Sequence, residues 1–265
     1  MSDGIKEGIL DTRRGAIIVC APKGAGKTTG TVSACHDLKE TAEISGFLKF
    51  SLCPRTDDAD PPGPWHMFRS KFGASHTDDL FDMMPIQRTD KPIVIILDNV
   101  DDHPNKEGVK AFVKSLAKPS VVAPTGQHYL VVVLCQDVAV AKSLLTINSR
   151  RKIRMLEYGA VLVDGTDTVG PSSWKAKGFK WKKDDCDKLI TKFEENLGRH
   201  LARGQRDRLL ELAEAAGTPG FIRDFFQNIR NNIISYPQEV DSVLTTMEKE
   251  SKDIAQVWED LRGLI

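Results

Sequence analysis

The stretch Ala16-Ile17-Ile18-Val19-Cys20 runs directly into Ala21-Pro22-Lys23-Gly24-Ala25-Gly26-Lys27-Thr28-Thr29, and a helix-forming segment follows to Ile44. Five apolar residues rich in Ile and Val read as a buried strand. The next nine have the Walker A spacing, with Ala21 where the first Gly stands. Gly24 and Gly26 let the backbone curl so that its N–H groups can face phosphate oxygens. A helix starting near Lys27 adds the partial positive charge of its N-terminus. Lys27 is then placed to bridge the β- and γ-phosphates of a nucleotide, and the Thr28 hydroxyl to ligate Mg²⁺. Pro22, Lys23, Ala25 and Thr29 complete the cofactor-binding set. A Gly-rich turn capping a helix would need only the glycines; the strand–loop–helix context favours the nucleotide.

A second acidic position supports the first. Ile93-Val94-Ile95-Ile96-Leu97-Asp98 is an apolar strand ending in a carboxylate, 70 residues after Thr28. A carboxylate at the C-terminal end of a neighbouring strand can hold Mg²⁺ through water. The plainer alternative makes Asp98 the opening of an acidic turn, Asp98 to Asp102.

Outward from these two segments, strand-like and helix-like stretches alternate through the first 160 residues, as in an α/β fold with a parallel sheet. Further strands are expected at Phe47 to Cys53 and Tyr129 to Cys135, with one short final strand from Ile153–Leu156 and Ala160–Val163. Pro54 to Pro64 is a turn-rich loop, and a weakly amphipathic segment spans Trp65 to Met84. Helices are expected after Pro104 to about Leu116 and from about Val138 to Leu145. Asp164 to Ser173 lacks apolar periodicity and marks a boundary. Helices then follow at Lys183–Leu197, Gln205–Ala216, Pro219–Asn231 and Pro237–Leu261. The expected division is an NTPase core over 1–163 and a helical lid domain over 174–265.

The order of Walker A, interposed strand and Asp98 strand resembles the additional-strand division of P-loop ATPases, to which the AAA+ proteins belong. A three-layer core with a parallel sheet and a C-terminal helical lid is what that resemblance implies. The guanine-reading N-K-x-D motif of GTPases is absent, and no Arg-rich kinase lid lies between the central strands. Ile96 to Asp102, ILDNVDD, looks like the Walker B of STAND-type, NACHT-like ATPases. By that resemblance Asp101 or Asp102 would position the attacking water, while Asn99 stands where AAA+ proteins carry a catalytic Glu. Gln136, after the Tyr129–Cys135 strand, stands where AAA+ relatives place a polar γ-phosphate sensor, although a loop residue capping the following helix reads the same way. Gly217-Thr218-Pro219 resembles the Gly-x-Pro motif of STAND lids, which would bring Pro219 near the nucleotide; a plain helix–Gly–Pro–helix junction has the same residues. Arg150 and Arg151 lie where AAA+ rings place an arginine finger, although a basic helix end reads the same way.

Trp174 to Lys183 interleaves five lysines with three aromatics. Such a segment can pair phosphates and stack bases of a nucleic acid, or pack its rings inward and leave its lysines solvated. ATP is the expected ligand, with a homo-oligomer and nucleic acid as expected partner classes. Two alternatives accompany the ATPase reading: a nucleotide-gated switch with negligible turnover, and a nucleic-acid-linked ATPase of the transposition-regulator or loader type.

Composition bounds these readings. In 265 residues, 37 Lys plus Arg balance 37 Asp plus Glu, which argues against a histone-like basic protein and against an acidic disordered tail. Apolar residues at 40% and charged residues at 28% suit a globular chain with a sizeable core. The longest apolar runs fall far short of the ~18–20 residues that span a bilayer. The N-terminus carries no signal or transit pattern, so no membrane partner and a cytoplasmic or nuclear location are expected. Five scattered cysteines lack any C-x-x-C pair, and six histidines lack metal-ligand spacing.

Overall fold

Ile93–Asp98 and Tyr129–Cys135 are buried at every position. That is how strands covered on both faces read, as unbroken apolar runs rather than alternations. The computed structural model describes residues 2–11, 15–53, 62–72, 91–116, 129–145, 160–164, 180–231 and 237–262. By their contacts they form two compact units, one of residues 2–20 and 27–164 and the other of residues 21–26 and 180–262.

In the first unit the described elements are α1 (Ser2–Asp11), β1 (Gly15–Cys20), α2 (Lys27–Glu40), β2 (Gly46–Ser51), α3 (Pro64–Phe72), β3 (Ile93–Asp98), a 3₁₀ turn (Val100–Asp102), α4 (Lys106–Leu116), β4 (Tyr129–Cys135), α5 (Val138–Leu145) and β5 (Ala160–Asp164). The sheet order is β2-β3-β4-β1-β5. Strands β2, β3, β4 and β1 are parallel, with Ser51 beside Asp98 and Cys20 beside Cys135 at their C-terminal ends. The α/β sheet of the sequence reading is therefore present. One difference lies at its edge: β5 pairs antiparallel with β1, Ala160 beside Cys20 and Asp164 beside Ala16. An edge position has a neighbour on one side only, and an otherwise parallel sheet accommodates an antiparallel strand there. Ile153–Leu156, the other half of the expected strand, lies outside the described residues.

The helices bury stripes. Gly30, Thr31, Ala34, Cys35 and Leu38 form the inner face of α2, and Val109, Phe112, Val113 and Leu116 that of α4. Phe50, Trp65, Phe68 and Phe112 build an edge-to-face aromatic cluster, with Trp65 and Phe112 centroids 4.7 Å apart at 88°. Helix α1, which the sequence reading did not contain, packs on α2 through Ile5 and Ile9 and an ion pair from Lys6 to Asp37. Helix α2 stops at Glu40 rather than running to Ile44, because Ala42 turns left-handed at φ 56°. The Glu43 N–H then reaches Leu38 O at 2.8 Å and the Ala42 N–H reaches Lys39 O at 3.1 Å, the two bonds of a Schellman cap. Within the weakly amphipathic segment expected over Trp65 to Met84, a helix is described over Pro64–Phe72, with Pro at the first position, where its missing N–H costs nothing.

The second unit holds α6 (Lys183–Leu197), α7 (Arg203–Ala216), α8 (Pro219–Asn231) and α9 (Pro237–Arg262). Ile190, Leu209, Ala213, Phe221, Phe225 and Leu244 are among its buried core. Glu194 of α6 has a side chain only 4% exposed, and Arg206 of α7 reaches it at 3.3 Å while bonding Asp187 at 2.6 Å and Thr191 at 2.9 Å. Trp258 Nε1 donates to Ala216 O at 2.8 Å, satisfying a terminal carbonyl of α7. Within this same unit the Gly220 N–H donates to Gly24 O at 3.0 Å, and a Cβ on Gly220 would stand 2.5 Å from Gly24 Cα. No described helix is long and apolar enough to cross a membrane.

Candidate functional site

Strand β3 ends on Asp98, and α2 begins one residue before Thr28. Residues 70 apart in sequence thus meet: the Thr28 hydroxyl donates to Asp98 Oδ2 at 3.0 Å. The other oxygen, Oδ1, accepts the Asn99 N–H at 3.1 Å. Lys49 Nζ from β2 stands 3.0 Å from Asp98 Oδ2 as well. Asp98 is buried, so its charge is held by these three donors and little water.

Lys27 opens α2. Burial pushes its ammonium pKa down, while the carboxylates of Asp101 and Asp98 act in the opposite direction. Ahead of it, Gly24 and Gly26 adopt φ of 77° and 87°, the left-handed region that a Cβ disfavours. The Ala25 N–H closes a turn on Pro22 O at 3.3 Å. Lys23 and Thr29 are exposed.

The segment after β3 is folded onto the segment after β4. Asp101 Oδ2 accepts the Gln136 N–H at 2.7 Å, and Oδ1 accepts the Asp137 N–H at 3.2 Å. Burial pushes the Asp101 carboxyl pKa up, and the two N–H donors and Lys27 oppose that. Lys106 reaches back to the Asp101 carbonyl. Asp137 caps α5 by accepting the Ala139 N–H at 2.7 Å. Asn99 is left-handed at φ 57°, a conformation Asn tolerates, and its side-chain amide donates to Ser51 Oγ at 2.9 Å. Asp102 is exposed on the 3₁₀ turn.

In the first unit Lys27, Thr28, Asp98, Asp101 and Gln136 therefore gather at the C-terminal ends of β3 and β4 and the start of α2. Pro219 is the first residue of α8, in the second unit. Arg150, Arg151 and Trp174 to Phe179 lie outside the described residues. The sequence reading missed Lys49 and Ser51. Their signal was a lone cation and a hydroxyl near the end of an otherwise apolar strand, FLKFSLC, but only the register with β3 shows what they touch.

The donors fit a hard divalent cation. Thr28 Oγ1 and Asp98 Oδ2 are oxygens 3.0 Å apart. Among the described residues no group of three or more His, Cys, Asp or Glu could hold a metal ion. The pair matches the Mg²⁺ habit of taking one or two protein oxygens, with phosphate and water supplying the rest.

No family model matches this chain, and no curated protein matches it. Among solved structures, the chain is similar to Drosophila ORC bound to DNA, at 10% identity and a TM-score of 0.44, over 93% of this chain and 58% of that one. It is similar also to the Aeropyrum pernix ORC2 protein in its ADP form, at 9% identity and a TM-score of 0.45, over 92% of this chain and 66% of that one. The chain thus spans less than two thirds of either of those chains.

Proposed function

We propose that this chain binds ATP with Mg²⁺ and hydrolyses it slowly, as a P-loop ATPase of AAA+/STAND type. A core over 1–163 and a lid over 174–265 would couple nucleotide state to a change of shape or to self-association. The observation that carries the reading is the 3.0 Å contact between Thr28 and Asp98. A Walker A hydroxyl and a carboxylate at the end of an adjacent strand converge on one point, which a mere Gly-rich cap would not require. When bound, Mg²⁺ would neutralise charge on the transferring phosphoryl group. Thr28 and Asp98 would hold the metal, and Lys27 and the amides of residues 22–28 would hold the phosphates. Asp101 would orient water, and Gln136 would face the γ-phosphate.

The test is ATP affinity and phosphate release for wild type, Lys27→Ala and Asp98→Asn. Lys27→Ala should weaken ATP binding by roughly 10- to 100-fold, the scale of one charged hydrogen-bonded contact. Asp98→Asn should abolish phosphate release. Unchanged affinity in Lys27→Ala sinks the proposal.

A second reading, a nucleotide-gated switch with negligible turnover, has its own support. Asn99, at the position of the AAA+ catalytic Glu, is tied to Ser51, and the Asp101 carboxylate already accepts two main-chain N–H groups. Tight ATP binding with no phosphate released over many hours would select it. Size analysis with ATP, in the presence and absence of DNA, tests the homo-oligomer and nucleic-acid partners.

A further inference from the structure

Asp98 carries a cation of the protein's own. Lys49 stands opposite Ile96 in the β2–β3 register, and Asp98 is two residues further along the same face of β3. Diagonal neighbours at that spacing are within reach of a long side chain. Lys49 uses that reach to bring Nζ to 3.0 Å from Asp98 Oδ2, the oxygen that also accepts the Thr28 hydroxyl. Oδ1 is already engaged by the Asn99 N–H. The ammonium thus stands at the carboxylate oxygen where the metal pair converges. Its side chain is 43% exposed, so it has solvent to move into.

We infer that Lys49 is a tethered cation that competes with the divalent metal for Asp98, so that the metal binds only by displacing it. The inference deepens the ATP–Mg²⁺ reading and rests on its assignment of Thr28 and Asp98. Lys49 is here a positioning and regulatory residue. In the metal-free state it keeps Asp98 neutralised and oriented toward Thr28. A divalent ion must overcome both the ion pair and the repulsion of a nearby +1 charge. The chain therefore requires more free metal than Thr28 and Asp98 alone would require.

The test uses Mn²⁺ alone, without nucleotide, followed by electron paramagnetic resonance on the full chain. Lys49→Met should bind Mn²⁺ about tenfold more tightly than wild type, the scale of one charge-assisted pair to a mostly buried carboxylate. Lys49→Arg, which keeps the charge, should behave like wild type. Adding Asp98→Asn to Lys49→Met should remove the gain. Lys49→Gln provides the same comparison should the Met variant fold poorly, as judged by circular dichroism. Equal or weaker Mn²⁺ binding in the charge-removed variant, or a gain that survives Asp98→Asn, overturns the inference. Because the probe is the metal alone, a chain that fails to bind ATP refutes the nucleotide reading separately and leaves this comparison readable.

Discussion

Ala42 ends α2 in a left-handed conformation, φ 56°, that L side chains with a Cβ disfavour by roughly 1–2 kcal/mol. Ala42→Gly removes that strain but adds freedom to the unfolded chain, a loss of about 0.4–1 kcal/mol. A net stabilisation of about 0.5–1 kcal/mol is expected, readable as a raised midpoint in urea at unchanged slope. No sequence signal marks this cap, since the usual one is a glycine; the helix was therefore expected to continue to Ile44. The same limit applied to Lys49. A lysine in a strand is normally a solvated position, and only register tells whether it reaches a carboxylate. The meeting of Thr28 with Asp98 was legible for the opposite reason: a strand–loop–helix and an apolar strand ending in Asp are strong local patterns, and parallel strands end on one side of their sheet.

At the scale of elements, β3 and β4 were readable because burial on both faces leaves no alternation to misread. The direction of β5 was not, because five apolar-rich residues, AVLVD, pair equally well either way. Helix α1 went unread because its core contribution is two isoleucines one turn apart, too few to set a period. In the helical unit, α6 and α7 are clamped by Arg206 on Glu194 and Asp187. Arg206→Met should destabilise by about 2–3 kcal/mol, less than the figure for a fully buried pair because Asp187 is half exposed, but substantial because Glu194 is left buried and short of a partner. The Leu201 N–H still donates to Glu194 at 2.9 Å, so the helix ends should hold. A double-mutant cycle with Glu194→Gln measures the coupling, and additivity of the two losses would contradict the clamp.

The whole chain has five cysteines, and four are buried: Cys20, Cys35, Cys135 and Cys186. Burial pushes the Cys35 thiol up to about 12 and the Cys186 thiol up to about 11. A raised pKa means almost no thiolate at pH 8, and the thiolate is the reactive form. One rapidly reacting thiol per folded chain is therefore expected with a disulfide reagent, Cys53, and Cys53→Ser should abolish the fast phase. Five should react in denaturant. A second fast thiol in the folded state would show that the core opens more readily than its packing indicates.

The polarity of β5 settles how the chain travels through the sheet. Ala160 stands beside Cys20, at the end of the sheet where Thr28 and Asp98 meet, and Asp164 stands beside Ala16, at the opposite end. The chain therefore enters β5 at the end of the sheet where Asp98 lies and departs at the far side, four residues on and about 13 Å away. A parallel fifth strand would have released it at the same end as Asp98. Like β2 at the other edge, β5 is held by a single ladder, so it can part from the sheet while β1 keeps its pairing with β4.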